Sequence, residues 1–147
     1  METSNQVQFR QQLVVQCIKA KDASDVAPNL EEYQGKTLEV FGCIRQVNAT
    51  VFALSGGKDN VLQDELPDAG SKSLMCSAND PSVNSKLAYC VQVYGGFNIV
   101  SFAVLEVEVV KRGSDSYPEY CAIVKSGDVL SPPALSLLSQ RLSLGAR

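Results

Sequence analysis

The sequence predicts a mainly β domain with an α-helix at each end. Two observations carry that expectation: apolar residues recur at helical spacing at both ends of the chain, and between them short β-prone runs alternate across clusters of Gly, Pro, Asn and Asp. With 147 residues and 45% hydrophobic content, the chain suits one domain around one core.

From Ser4 to Lys21, Phe9, Leu13, Val14, Cys17 and Ile18 form an apolar stripe, with Gln11, Gln12, Gln16 and Lys19 opposite. Asp22 to Asn29 breaks the period and reads as a connector, so residues 1–28 are helix plus connector. Lys36 to Val47 alternates as a long first strand, with Leu38, Val40 and Ile44 on one face. Gly42 marks a bulge or bend in it, as a barrel needs where one strand serves two sheets. Val51 to Leu54 is a second strand after the Asn48-Ala49 turn. Ser55 to Ser73 is an acidic loop with a helical turn around Leu62.

Leu74 to Cys76 begins a third strand. Asp80 is placed to cap a short helix, Pro81 to Leu87. Ala88 to Tyr94 reads as a fourth strand with Tyr89, Val91 and Val93 on one face, and Gly95-Gly96 turns it towards Ile99. Phe102 to Lys111 is the fifth, with Leu105, Val107 and Val109 set against Glu106 and Glu108. Residues 113–131 read as an irregular connector with an extended piece from Cys121 to Val124. Residues 132–147 form the last helix, opened by Pro132-Pro133.

Three strands, a short helix and two more strands, with a glycine in the first strand and a long loop after the second, is the order expected of a five-stranded Greek-key oligonucleotide/oligosaccharide-binding (OB) barrel, placed here at residues 33–112. Periodicity alone gives an all-β domain with terminal helices, and the step to an OB barrel rests on resemblance. The run Tyr33-Gln34-Gly35-Lys36-Thr37-Leu38-Glu39-Val40-Phe41-Gly42-Cys43-Ile44 resembles the opening strand of many OB domains. Tyr89-Cys90-Val91-Gln92-Val93-Tyr94-Gly95 is similar to their fourth. Among OB proteins the chain resembles the smallest subunit of replication protein A and its counterpart in the telomere-capping trimer, over roughly residues 33–112 and the last helix. The amino-terminal helix and the longer acidic loop depart from that pattern. A second family of small bacterial OB proteins, similar to tRNA-anticodon-binding folds, fits the barrel as well. The first resemblance implies a scaffold subunit whose last helix packs with two larger OB subunits, with an auxiliary role on single-stranded DNA. The alternative is a stand-alone bacterial OB protein that binds a protein, peptide or sugar.

Candidate partner-binding residues are Leu135, Leu138 and Leu142, which lie at i, i+3 and i+7. They either cover the end of their own barrel or form a helix-to-helix interface. Single-strand binders join cations to aromatic platforms. The candidates are Arg45, Lys58, Lys72, Tyr94 and Phe97, whereas Phe52 reads as core. The net charge of −3 offers no global attraction for phosphate, so any nucleic-acid contact is local.

Catalysis is not expected. There is no histidine and no C-x-x-C pair, so the common general base, zinc ligand and dithiol centre are missing, and no cofactor or metal is expected. Gly56-Gly57-Lys58 lacks the spacing and the following Ser/Thr of a phosphate loop. Glu106 and Glu108 read as the wet side of an edge strand rather than a catalytic pair. Five separated cysteines suit reduced thiols. The amino terminus lacks the apolar run of a signal peptide, so a nuclear or cytoplasmic location is expected, with no membrane partner.

Overall fold

A computed structural model of the chain describes residues 3–67, 72–95 and 100–145. Helix α1 (Ser4–Lys19) opens with a capping box: Thr3 Oγ1 accepts from Gln6 N, and Gln6 Oε1 accepts from Thr3 N at 2.8 Å. A two-residue strand β1 (Lys21–Asp22), a single helical turn α2 (Ala23–Val26) and a 3-10 segment (Ala27–Tyr33) follow. The expected connector is therefore structured. Pro28 helps set its course, and Ala23, Val26 and Ala27 are buried in the interior of the barrel.

Strand β2 (Thr37–Gln46) pairs antiparallel with β3 (Val51–Ser55), which pairs antiparallel with β4 (Leu74–Ser77). A six-residue helix, α3 (Lys58–Gln63), stands in the β3–β4 connection near the expected helical turn. Helix α4 (Pro81–Gly95) precedes β5 (Ser101–Gly113) and β6 (Pro118–Val129), and α5 (Pro132–Gly145) ends the fold. The sheet order β2-β3-β4-β6-β5 closes because β5 also pairs with β2, and among the described residues the one parallel contact within the barrel is β4–β6. The result is a closed five-stranded mixed barrel in OB order, with β1 added in parallel beside β2.

Gly42 lies where β2 changes partners: β2 pairs with β5 up to Ile44 and with β3 from Cys43. A Cβ on Gly42 would come within 3.1 Å of both Ala23 Cβ and Ser55 O, so the glycine lets α2 and β3 approach. The register shift itself falls elsewhere, between Glu106 and Val107 of β5 opposite Lys125 of β6.

Two apolar clusters divide the side chains. The inner one holds Val40, Ile44, Phe52, Leu54, Leu74, Cys76, Leu105, Val107 and Val124, with Leu87 from α4, and Leu38 partly buried against it. The outer one lies where α1 and α5 cover the outer face of β2 and β5. There Phe41 and Phe102 stack with ring centroids 5.7 Å apart, packed with Leu13, Val14, Cys17 and Leu138.

Three expectations are corrected. Ala88–Tyr94 is not a strand but the second half of α4, so the likeness of that run to a fourth OB strand fails. Leu87, Val91 and Tyr94 face the core at i, i+4 and i+7, while Tyr89 and Val93 are 67% and 52% exposed on the opposite side. The 113–131 connector contains β6, a full barrel wall, so the barrel runs from residue 37 to 129 rather than ending at 112. Glu106 and Glu108 lie on no edge, because β5 is hydrogen-bonded on both sides, and Glu108 is 3.3 Å from Lys125 Nζ.

Candidate nucleic-acid interface

An OB barrel commonly engages ligands on the outer face of its second and third strands and with the loops joining strands one to two and four to five. These correspond here to β3 and β4, the β2–β3 loop and the β5–β6 loop. The β2–β3 loop is tight. Asn48 Oδ1 accepts from both Thr50 N and Val51 N at 3.0 Å, which closes the turn and leaves no clasp.

The β5–β6 loop is different. The barrel wall is anchored at Val109, whose carbonyl accepts from Gly35 N and whose N–H donates to Lys36 O. Beyond it, Val110–Gly113 pairs only with Pro118–Cys121 among the described residues, so a two-stranded arm projects past the barrel. Gly113, at φ +84°, makes its turn, where a Cβ would collide with Tyr117 O. Lys111 stands opposite Tyr120 and Arg112 opposite Glu119. Tyr117 at the tip is 82% exposed, and Lys111 Nζ is 3.0 Å from Asp115 Oδ1.

At the root of the arm a shallow groove of about 420 Å³ is lined by Tyr120, Lys72, Met75, Pro28, Leu30 and Glu31, among others. Met75 is 49% exposed and lies in register with Ala53, itself paired with Arg45, and Ala53 is fully buried. Ser73, next to Lys72, is fixed by a 2.6 Å hydroxyl contact with Ser55. The arm and groove thus put three cations, two tyrosines and an exposed methionine on neighbouring elements, with Glu31, Asp115 and Glu119 moderating the field.

The candidates read from sequence separate. Arg45 is exposed at the end of β2, and Lys72 is exposed on the groove. Lys58 is committed elsewhere: its ammonium donates to Ile18 O at 2.7 Å and Ala20 O at 2.6 Å, holding the carboxyl end of α1. Beside it, the Asp22 carboxylate accepts from Lys58 N at 3.3 Å and occupies the space a Cβ on Gly57 would need. Burial pushes the Asp22 carboxyl above its usual range. Gly56-Gly57-Lys58 therefore receives an anion from its own chain. Tyr94 is corrected from an exposed platform to a part-buried helical residue packed on the inner cluster. Phe97 lies outside the described residues.

Leu138 is fully buried and Leu135 and Leu142 partly so, all against the outer cluster. The stripe thus covers this chain's own barrel and α1. Lys111, Arg112, Met75, Tyr117 and Tyr120 were missed by sequence reasoning. For the arm residues the signal was the polar turn Gly113-Ser114-Asp115-Ser116 between two β-prone runs, which marks a hairpin.

All five cysteines are free thiols. Burial pushes Cys17 and Cys76 up to about 12 and Cys43 up to about 11, so these remain protonated near neutrality. Among the described residues, no group of three or more His, Cys, Asp or Glu could hold a metal ion, and no helix is long and apolar enough to cross a membrane. The chain matches no family model and no curated protein.

Proposed function

We propose that this chain is a small OB-fold subunit that works by binding, contacting single-stranded DNA through the β5–β6 arm and the adjacent groove within a larger assembly. The observation that carries this reading is the projecting arm with Lys111, Arg112, Tyr117 and Tyr120 beside Lys72 and Met75. Bases stack on rings and other flat apolar groups while cations follow the phosphates, so binding needs both on neighbouring elements. The resemblance stated above suggests replication or telomere maintenance as the setting, and larger OB subunits as partners.

The charge inventory sets the strength. Three phosphate contacts from Lys72, Lys111 and Arg112 give a salt slope of about −2 for a single strand, which is a loss of about 20-fold in affinity between 50 and 200 mM salt. Acidic neighbours keep the affinity of the isolated chain low, and partners in the assembly supply the rest.

The test is fluorescence anisotropy of a labelled oligo-dT with the wild type and with a Lys72→Ala/Arg112→Ala/Tyr120→Ala variant whose fold is checked by circular dichroism. The reading expects weak, salt-sensitive binding by the wild type, reduced at least tenfold in the variant, about 1.4 kcal/mol or more. Equal binding by both proteins, or binding unaffected by salt, refutes it.

A further inference from the structure

A groove of about 710 Å³ runs between α3 with its following turn and α5. Its floor is apolar, with Val61, Phe102 and Leu135, and Leu62 and Leu66 stand at its wall with 38% and 62% of their surface exposed. Asp64 and Glu65 contribute exposed carboxylates on one side, and Ser136, Ser139 and Gln140 contribute neutral polar groups on the other. No Lys or Arg is among the described residues that line it.

The acidic wall is built. Helix α3 ends in a reversal in which Glu65 N donates to Asn60 O at 3.1 Å and Asp64 N to Val61 O at 3.4 Å, the pattern of a Schellman motif. The residue in the left-handed region is Asp64, at φ +53°, the one non-glycine residue with positive φ among those described. Glycine would adopt that conformation at lower cost. Asp is one of the few side chains that adopt this conformation, and here it sets a carboxylate on the groove.

We propose that the α3–α5 groove docks a basic, amphipathic segment of a partner protein. Its apolar side chains would enter between Leu62, Leu66 and Leu135, and its Lys or Arg side chains would meet Asp64 and Glu65. The acidic wall repels a phosphate backbone, so the surface suits a peptide and not a nucleic acid. This places partner capture on the side of α5 where part-buried Leu135 borders the groove, while Leu138 stays buried at home. It does not rest on the DNA-binding reading.

The experiment titrates the full chain with a fluorescein-labelled helical peptide of about 14 residues, built from Leu and Lys at amphipathic spacing, and with a scrambled peptide of the same composition. The variants are Ser139→Trp, which fills the groove from the surface of α5, and Asp64→Asn/Glu65→Gln, which removes its charge. Melting curves check that both fold. The expected result is micromolar binding of the patterned peptide, weakened about tenfold by Ser139→Trp and about fivefold by the charge-neutral variant, with the scrambled peptide at least tenfold weaker. The proposal is overturned by equal binding of both peptides, by equal binding to the Ser139→Trp variant, by no binding of the patterned peptide, or by oligo-dT displacing that peptide from the groove.

Discussion

Replacing Leu138 by alanine separates two roles for the last helix. Leu138 has no exposed surface and packs with Leu13, Val14, Phe41 and Phe102 in the cluster between the barrel and the two terminal helices. Removing a fully buried leucine side chain loses its transfer free energy and leaves a cavity in an interface that relaxes only partly, for a total cost of about 3 kcal/mol within a range of about 2 to 5. For a domain of this size each kcal/mol lowers the midpoint by about 2 to 4 °C, so Leu138→Ala lowers Tm by about 6 to 12 °C. In urea the midpoint falls by about 1.5 M for a slope of about 2 kcal/mol/M. Leu144→Ala is the control: its side chain is 67% exposed, and the expected change is within about 0.5 kcal/mol. The assay is chemical and thermal unfolding of the purified chain, with mass measured by light scattering. If Leu138→Ala unfolds with the stability of the wild type while changing an oligomeric mass, the stripe is an intermolecular surface and the packing argument fails.

Two further outcomes follow from the same geometry. The raised thiol values of Cys17, Cys43 and Cys76 mean that the folded state holds these protons more tightly than an unfolded chain, whose thiols ionise near 9. The associated stability is therefore fully present below about pH 9 and is lost as pH rises through about 11 to 12, so urea midpoints fall steeply over that interval; at pH 8 a thiol reagent leaves Cys17 and Cys76 unmodified until the chain unfolds. Lys58→Met removes both hydrogen bonds to the end of α1 while keeping the aliphatic stem, and is expected to cost about 1 to 2 kcal/mol in urea titration. It leaves oligo-dT affinity unchanged, because that ammonium serves the fold.

The terminal helices and strands β2, β3, β4 and β5 were legible, most clearly where the residues show their own period, whereas β1 lay where the expected helix gives way to the connector. Leu105, Val107 and Val109 alternate against Glu106 and Glu108, and all three are buried as the alternation requires. The second half of α4 was not legible. Tyr89, Val91 and Val93 alternate and are β-prone, yet Leu87, Val91 and Tyr94 also fit a helical face, and packing of that face on the barrel decides between two readings the local pattern cannot separate. Strand β6 was hidden for another reason. The bulge at Lys125 turns the phase, so Ala122 and Val124 point inward and the next inward position is Gly127, where Leu105 and Leu87 fill the space a side chain would take. An alternation search meets Lys-Ser-Gly-Asp at that point and reads a loop. Missing β6 hid the projecting arm, and with it Tyr117 and Tyr120. Lys58 misled in the opposite way: its charge is plain in the sequence, but the carbonyls that hold it lie some forty residues away along the chain.

The central claim is that the β5–β6 arm is where a single strand meets this barrel. Backbone amide NMR shifts of the labelled chain, titrated with oligo-dT at low salt, test it most directly. Shifts concentrated at residues 110–121 and 72–75 are the predicted result. An unperturbed spectrum, or shifts confined to the α3–α5 groove at residues 60–66 and 135–140, would contradict it.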